Sequence, residues 1–310
     1  MTGSPPKITV ITPSYNQGQF IEETIRSVLE QNYPALELIV IDGGSTDGTV
    51  DVLRRYDSRL AYWTSERDRG QADAVNRGFA RATGDLVIWI NSDDLLMPGS
   101  LAAYAETHVR APNDVLLGDM VVFDARGRVK VVRQTNVTFE GVVAPWLAGT
   151  TWLQPSTAVP RAVWEKAGPL DESYRYVFDR EWACRLFRIA NVTYLEREVA
   201  MFRLHEQSKT VGESREWLPE EQRVTLQYLG ETRFAGRRDV MPLLQLREAR
   251  RMLTATTYDR AKAFSYAREA LRSAPRVAFS ALFAQFAARA LAPHWLLRRA
   301  ARARSRTIQR

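Results

Sequence analysis

The chain has 310 residues, 45% of them hydrophobic and 25% charged, an ordinary globular composition with enough apolar material for one large domain, or a domain and an appendage. Its single cysteine, Cys184, excludes an internal disulfide framework and fits a reducing, cytoplasmic setting. The net charge of +7 is uneven: no acidic residue follows Glu269, whereas nine arginines do, so a near-neutral body carries a basic tail and nucleic acid is not the expected partner.

The opening "MTGSPPKITV" holds one lysine and enters a strand directly, without the pattern of a secretory leader. "KITVIT" (7–12) is β-branched and apolar, as in a strand buried on both faces. Phe20, Ile21, Thr24, Ile25, Val28 and Leu29 then recur at helical spacing. "LELIVID" (36–42) is a second strand, and Asp47 to Tyr56 a short helix behind the cluster Ser45-Thr46-Asp47. A third strand ("LAYWTS"), a helix from Ala72 to Ala82 and a fourth strand ("DLVIWI") complete the alternation. Strands alternating with short helices predict βαβ units and parallel pairing. Ligands of such sheets gather at the carboxyl ends of the strands. The unusual polar clusters fall there: Thr12 to Asn16, Asp42 to Asp47, Ser65 to Gln71, and Asn91 to Asp94.

From about 113 to 210 the pattern is mixed. "DVLLGDMVVFDARGRVKVVR" reads as short strands turning at Arg126-Gly127, "YVFDREWACRLFRIA" as a helix, and "NVTYLEREVAMFRLH" as a strand again. Beyond Gly212 the chain is rich in arginine and alanine and helical. Its longest apolar run, residues 277–297, is broken by Gln285, Arg289, Pro293 and His294, so no segment reaches the roughly 18 residues of a membrane span.

Asp93 and Asp94 end a strand side by side. Paired carboxylates there suit a hard divalent cation that also takes substrate phosphate oxygens. The competing role is a cap on the next helix, which needs one acid, and Pro98 sets that helix to begin near residue 98. Asp42 ends the second strand beside Gly43, Gly44 and Gly48, where a carboxylate can accept hydrogen bonds from a nucleoside. A dinucleotide fold would need G-x-G-x-x-G after the first strand, and "TPSYNQGQF" lacks those glycines.

The segments "ITVITPSYNQGQFIEETIRSVLEQNYPALELIVIDGGSTDGT", "RDRGQADAVNRGFARATGDLVIWINSDD", "RYVFDREWACRL" and "LHEQSKT" together resemble a family 2 glycosyltransferase over roughly residues 7–210. The resemblance implies the GT-A fold, a Rossmann-like, mainly parallel α/β sheet, with residues 1–211 as catalytic domain. About 7–110 would be its nucleotide-sugar half, about 111–211 its acceptor half, and 212–310 a helical, Arg-rich extension. It implies sugar transfer with inversion from a nucleotide-diphosphate donor to a hydroxyl of a glycan or lipid-linked acceptor, with Mg²⁺ or Mn²⁺, in cell-surface polysaccharide synthesis.

By the same resemblance, Thr12, Pro13 and Tyr15 line the nucleoside pocket and Asp42 takes the base or ribose. Asp68, Arg69, Gly70, Asp73 and Asn76 flank donor and diphosphate. Asp94 is the direct metal ligand, Asp93 a ribose contact and further ligand, and His205 a third, with Lys209 a cation near the diphosphate. Asp179 matches the general base, with Glu181 as its support or an acceptor contact; Phe178 stands where the family pattern has an acid. Two residues apart on a helix, Asp179 and Glu181 point to different faces. Trp152, Gln154 and Trp164 form an aromatic acceptor platform, with Trp164 equally suited to the core.

For the tail, a helix from Arg276 places Phe279, Leu282, Phe283, Phe286 and Ala290 on one face, with Arg276 and Arg289 at its margins. Two readings stand: a helix lying on an anionic membrane, which makes the protein peripheral on the inner face, or one packing on the body or a second subunit. A nucleotidyltransferase of similar fold and a non-catalytic nucleotide- or glycan-binding protein are the alternative functions.

Overall fold

The structure, a computed structural model, describes residues 4–205, 217–254 and 258–292. Its framework is a nine-stranded sheet. Strands β1 (Ile8–Ser14), β2 (Leu36–Asp42), β3 (Tyr62–Ser65) and β4 (Leu86–Trp89) lie in the order β3-β2-β1-β4, all parallel. They are linked by α1 (Ile21–Leu29), α2 (Thr49–Arg55) and α3 (Gln71–Phe79). β1, fully buried along its length, meets α1 with Ile8 and Val10 and meets α3 with Ile11. That two-sided burial is why its apolar run is continuous rather than alternating.

The second half is mixed. β5 (Leu95–Leu96), α4 (Ser100–Arg110) and the hairpin β6 (Val115–Asp124)/β7 (Gly127–Val132) are followed by α5 (Phe139–Val143), α6 (Pro145–Ala148) and β8 (Thr157–Pro160). Then come α7 (Arg161–Ala167), α8 (Phe178–Ile189) and β9 (Val192–Arg203). β8 is antiparallel to both β4 and β6, whereas β9 runs parallel to β6 and antiparallel to β5. The strand order turns about β1 and β4, the junction at which an open α/β sheet leaves a crevice beyond its carboxyl ends.

Among the described residues four helices follow: α9 (Leu218–Leu229), α10 (Val240–Arg251), α11 (Arg260–Ser273) and α12 (Ala281–Leu291). Val224 and Tyr228 of α9 join the core that contains α7 and α8, while Leu246, Met252, Ala267 and Phe286 centre a separate helical core. The tail helix begins at Ala281, not Arg276. Pro275–Phe279 form a 3₁₀ turn, and the Ser280 hydroxyl accepts a hydrogen bond from the Phe283 amide at 3.1 Å as the new cap. Phe279 consequently leaves the apolar face and is 92% exposed.

Candidate active site

The carboxyl ends of β1, β2 and β4 gather the polar clusters on one edge. Asp42 is fully buried and held by its own turn: the amide and hydroxyl of Ser45 donate to it at 2.9 and 2.5 Å, and the Ser65 hydroxyl at 2.6 Å. Thr12 and Pro13 are buried within β1, and Tyr15 just beyond it is 62% exposed. Asp68 lies over Gly43, where a Cβ would come within 2.7 Å of its Oδ2, so only glycine lets this acid approach β2. Burial raises the Asp68 carboxyl, outweighing the hydrogen bond from the Gly70 amide.

Gly70 has φ +119° and ψ −179°, a region open essentially to glycine alone. The turn it makes lets Arg69 fold back: its guanidinium donates to Asp73 at 2.9 Å and reaches Glu172 at 2.9 Å. Asn76 is committed to the backbone of Leu170, donating to its carbonyl at 3.0 Å and accepting from its amide at 2.8 Å. Asp73, Arg69 and Asn76 therefore tie α3 to the loop before α8. Asp73 is held below the usual range chiefly by Arg69.

Asp93 and Asp94 turn between β4 and β5 and do not cap α4, which starts at Ser100 behind Gly99. Their environments differ. Asp94 is fully buried; it accepts the Arg203 amide at 2.9 Å, and burial followed by the Asp93 charge raises its carboxyl well above the ordinary value. Asp93 stays partly exposed, and its Oδ2 lies 2.8 Å from His205 Nε2. Of the three residues to which the resemblance gives a metal role, His205 lies against Asp93 and Asp94 lies behind on the Arg203 amide. Lys209 lies outside the described residues.

Asp179 sits in the first turn of α8, where burial pushes its carboxyl up to about 6 despite a hydrogen bond from the Arg180 amide. Phe178 stacks on Trp89 at 5.8 Å, the Trp89 indole donates to Asn91 at 2.9 Å, and Gln154 donates to the Trp89 carbonyl at 2.6 Å. These contacts join the start of α8 to the end of β4. Glu181 faces away: it is 2% exposed, paired with Arg185 at 2.8 Å, and accepts the Tyr228 hydroxyl at 2.6 Å. Trp164 is 1% exposed between Phe79 and Trp182, so it is core. Trp152 is half-buried, donates to Thr157 at 3.1 Å and meets Phe187 edge-on.

The sequence profile described as "Glycosyl transferase family 2" matches residues 9–162, the span holding the first four strands and the acidic turn. The chain belongs to glycosyl transferase family 2. It is 44% identical over 97 residues to a Bacillus subtilis protein named as a teichuronic acid biosynthesis glycosyltransferase, TuaG, covering 30% of this chain and 38% of that one. An uncharacterized glycosyltransferase of Nostoc sp. is 29% identical over 216 residues, covering 64% of this chain and 65% of its own. The chain thus spans between two-fifths and two-thirds of these relatives. Among solved structures, Staphylococcus aureus TarS 1–349 in complex with UDP-GlcNAc is similar over 87% of this chain and 92% of its own, with TM-score 0.60 and 17% identity. The mannosyltransferase PcManGT of Pyrobaculum calidifontis, in complex with GDP-Man and Mn²⁺, is similar over 97% of this chain and 85% of its own, with TM-score 0.55 and 21% identity. At these identities the likeness concerns the fold, which is the GT-A fold of glycosyltransferases.

Three features of the site were not read from the sequence. Glu172 receives Arg69, Arg203 bridges the Asp93 carbonyl and Glu23, and Glu220 with Glu221 contact α8 from α9. Only the last had a local signal, an acidic pair opening a helix after Pro219, which reads equally as dipole compensation.

Proposed function

We propose that this family 2 member transfers a sugar, with inversion, from a nucleotide-diphosphate donor to a hydroxyl of a glycan or lipid-linked acceptor in cell-surface polysaccharide synthesis. The observation that supports this most is the stack of Phe178 on Trp89, which joins the turn bearing Asp179 to the strand end bearing Asp93 and its His205 partner. Asp42, Asp68 and the Gly43 surface take the nucleoside side of the donor, and Asp73 with Arg69 shapes the diphosphate side. Asp179 accepts the acceptor hydroxyl's proton, for which a carboxyl near 6 is better matched than an ordinary aspartate. Glu181 and Asn76 hold their helices in place.

A divalent cation is part of the proposal. Among the described residues no three His, Cys, Asp or Glu side chains are grouped to hold a metal. Asp93 and His205 nonetheless offer one carboxylate and one imidazole in contact, a pair that fits Mg²⁺ or Mn²⁺ if donor phosphate oxygens complete the shell. When bound, the cation supplies charge neutralisation to the departing diphosphate. Asp94, behind the pair, anchors the end of β9 through the Arg203 amide.

Residues 1–211 are the catalytic body in this proposal, with the remaining helices as an extension at the cytoplasmic face of a membrane. No helix among the described residues is long and apolar enough to cross one. Phe279, 92% exposed, precedes α12 and Leu291, 85% exposed, ends it, and Arg272 and Arg276 are exposed nearby. Phe279→Ser should reduce co-sedimentation with vesicles rich in phosphatidylglycerol; unchanged co-sedimentation removes this location from the proposal.

Calorimetric titration of UDP, dTDP and GDP, with Mn²⁺ and then with EDTA, tests the donor side. One nucleotide should bind, and only with the cation. Equal binding in EDTA would overturn the roles of Asp93 and His205. A non-catalytic reading is favoured by Phe178 alone, which replaces an acid of the family pattern; cation-dependent binding with no turnover of any donor would select it.

A further inference from the structure

Helix α8 has no cap of its own. Val177, at its N-cap position, provides no side-chain acceptor, and the amides leading into such a helix need partners. Those partners come from α9. Glu220 Oε1 accepts the Arg175 amide at 2.8 Å, and Oε2 accepts the amides of Tyr176 and Val177 at 2.8 and 3.1 Å. One carboxylate thus gathers three successive backbone donors immediately before the turn that bears Asp179.

The next residue grips the other side of that turn. Glu221 is 6% exposed and forms an ion pair with Arg180, whose guanidinium also donates to the Val142 carbonyl at 2.9 Å and to Thr225 at 2.8 Å. Arg247 of α10 approaches Glu221 at 3.4 Å from behind. Burial alone would raise the Glu221 carboxyl, but Arg180, Arg247 and Arg251 outweigh it and hold Glu221 below the usual range, so it acts on Asp179 as a negative charge.

We propose that Glu220 and Glu221 are positioning residues for the turn that carries Asp179, making α9 part of the catalytic apparatus rather than an appendage to it. The inference rests on the reading of Asp179 as general base. The charged groups around Asp179 are Arg180 on its own helix and Glu221 on α9, with Arg247 of α10 beyond; α5 contributes carbonyl oxygens to the Arg180 network. Of these, Glu221 raises the Asp179 carboxyl and Arg180 lowers it.

The test uses the full chain and two variants, with Asp179→Asn as reference. Release of nucleoside diphosphate is followed from UDP-GlcNAc, UDP-glucose and GDP-mannose, and the Asp179 carboxyl is titrated by ¹³C NMR. Glu220→Gln should lower kcat roughly 10- to 100-fold with donor KM within about 2-fold, because misplacing a base harms the chemical step more than binding. It should also speed amide exchange at residues 175–177. Glu221→Gln should move the Asp179 titration, and the acidic limb of kcat with it, to lower pH by about half a unit or more. Folded variants with wild-type kcat, exchange and titration would overturn the inference. If Glu221→Gln fails to fold, Glu220→Gln decides by kcat and exchange. If no donor is turned over, exchange and the carboxyl titration decide. Wild-type turnover by Asp179→Asn would instead reject the base assignment itself.

Discussion

The two ends of the parallel strands carry similar residues in opposite states. At the amino ends, Glu37 is nearly buried but saturated: Lys7 pairs with it at 2.7 Å, and Thr9 and Thr83 donate at 2.5 to 2.8 Å. Burial alone would raise its carboxyl, yet these partners bring it down to about 2. At the carboxyl ends, where Asp42 is held by Ser45 and Ser65 and Asp73 by Arg69, burial wins over the partners of two other acids, and Asp68 and Asp94 lie above their ordinary values. A buried carboxylate whose hydrogen bonds are all supplied by the protein stabilises the fold. One left under-compensated in a crevice is poised for a cation, a proton or a substrate.

The largest break in this comparison comes from Asp179→Asn. Turnover should fall by roughly 10²- to 10⁴-fold while nucleotide binding survives, as read by kinetics and calorimetry on one preparation. In the wild type, kcat should fall as pH drops through about 6, where Asp179 takes its proton. Stability should respond with the opposite sign. The native state holds that proton more tightly than an unfolded aspartate, so the group's opposition to folding starts to lift as pH falls through about 6 and is gone only below the unfolded value of 3.8. Asp179→Asn should accordingly melt no lower than wild type at neutral pH, and a markedly lower Tm would break the contrast between the functional and the stabilising ends.

Asp93→Ala should weaken cation-dependent nucleotide binding by about 100-fold, as read by calorimetry. Asp94→Ala should instead destabilise the fold, because the Arg203 amide loses its acceptor. If the two variants exchange these effects, the division between the adjacent acids is wrong.

Glu37→Gln addresses the stabilising end. Denaturant unfolding should show a loss of about 2 to 3 kcal/mol at neutral pH, with kcat per folded molecule unchanged. Because the folded carboxyl is depressed, its contribution is complete above the unfolded value of 4.5 and disappears as pH falls toward about 2. Smallest in scale is Gly70→Ala, whose Cβ would meet no atom within 4 Å but whose backbone would be strained at φ +119°. It should cost about 1 to 2 kcal/mol and raise donor KM by loosening the Arg69–Asp73 contact.

Local pattern was enough to find the acids at the carboxyl ends, since Asp42, Asp68, Asp93 and Asp94 each follow an apolar strand or precede a periodic helix. It did not say which of two adjacent acids faces His205, a residue 112 positions away. It put Asp179 and Glu181 on different faces of one helix, but not what each face meets: the Tyr228 hydroxyl locks the second, and Phe178, next to the first, stacks on Trp89. It ran the tail helix through Ser280, whose hydroxyl competes successfully for the Phe283 amide.

By itself, then, the sequence determined strand and helix identity, the parallel first half and the edge where the acids gather, because hydrophobic periodicity and turn residues act over a few neighbours. Only the tertiary structure decided which carboxylates are satisfied and which are left wanting. That depends on donors brought from far along the chain, such as Arg203 for Asp94, Tyr228 for Glu181, and the α9 acids for the turn at Asp179.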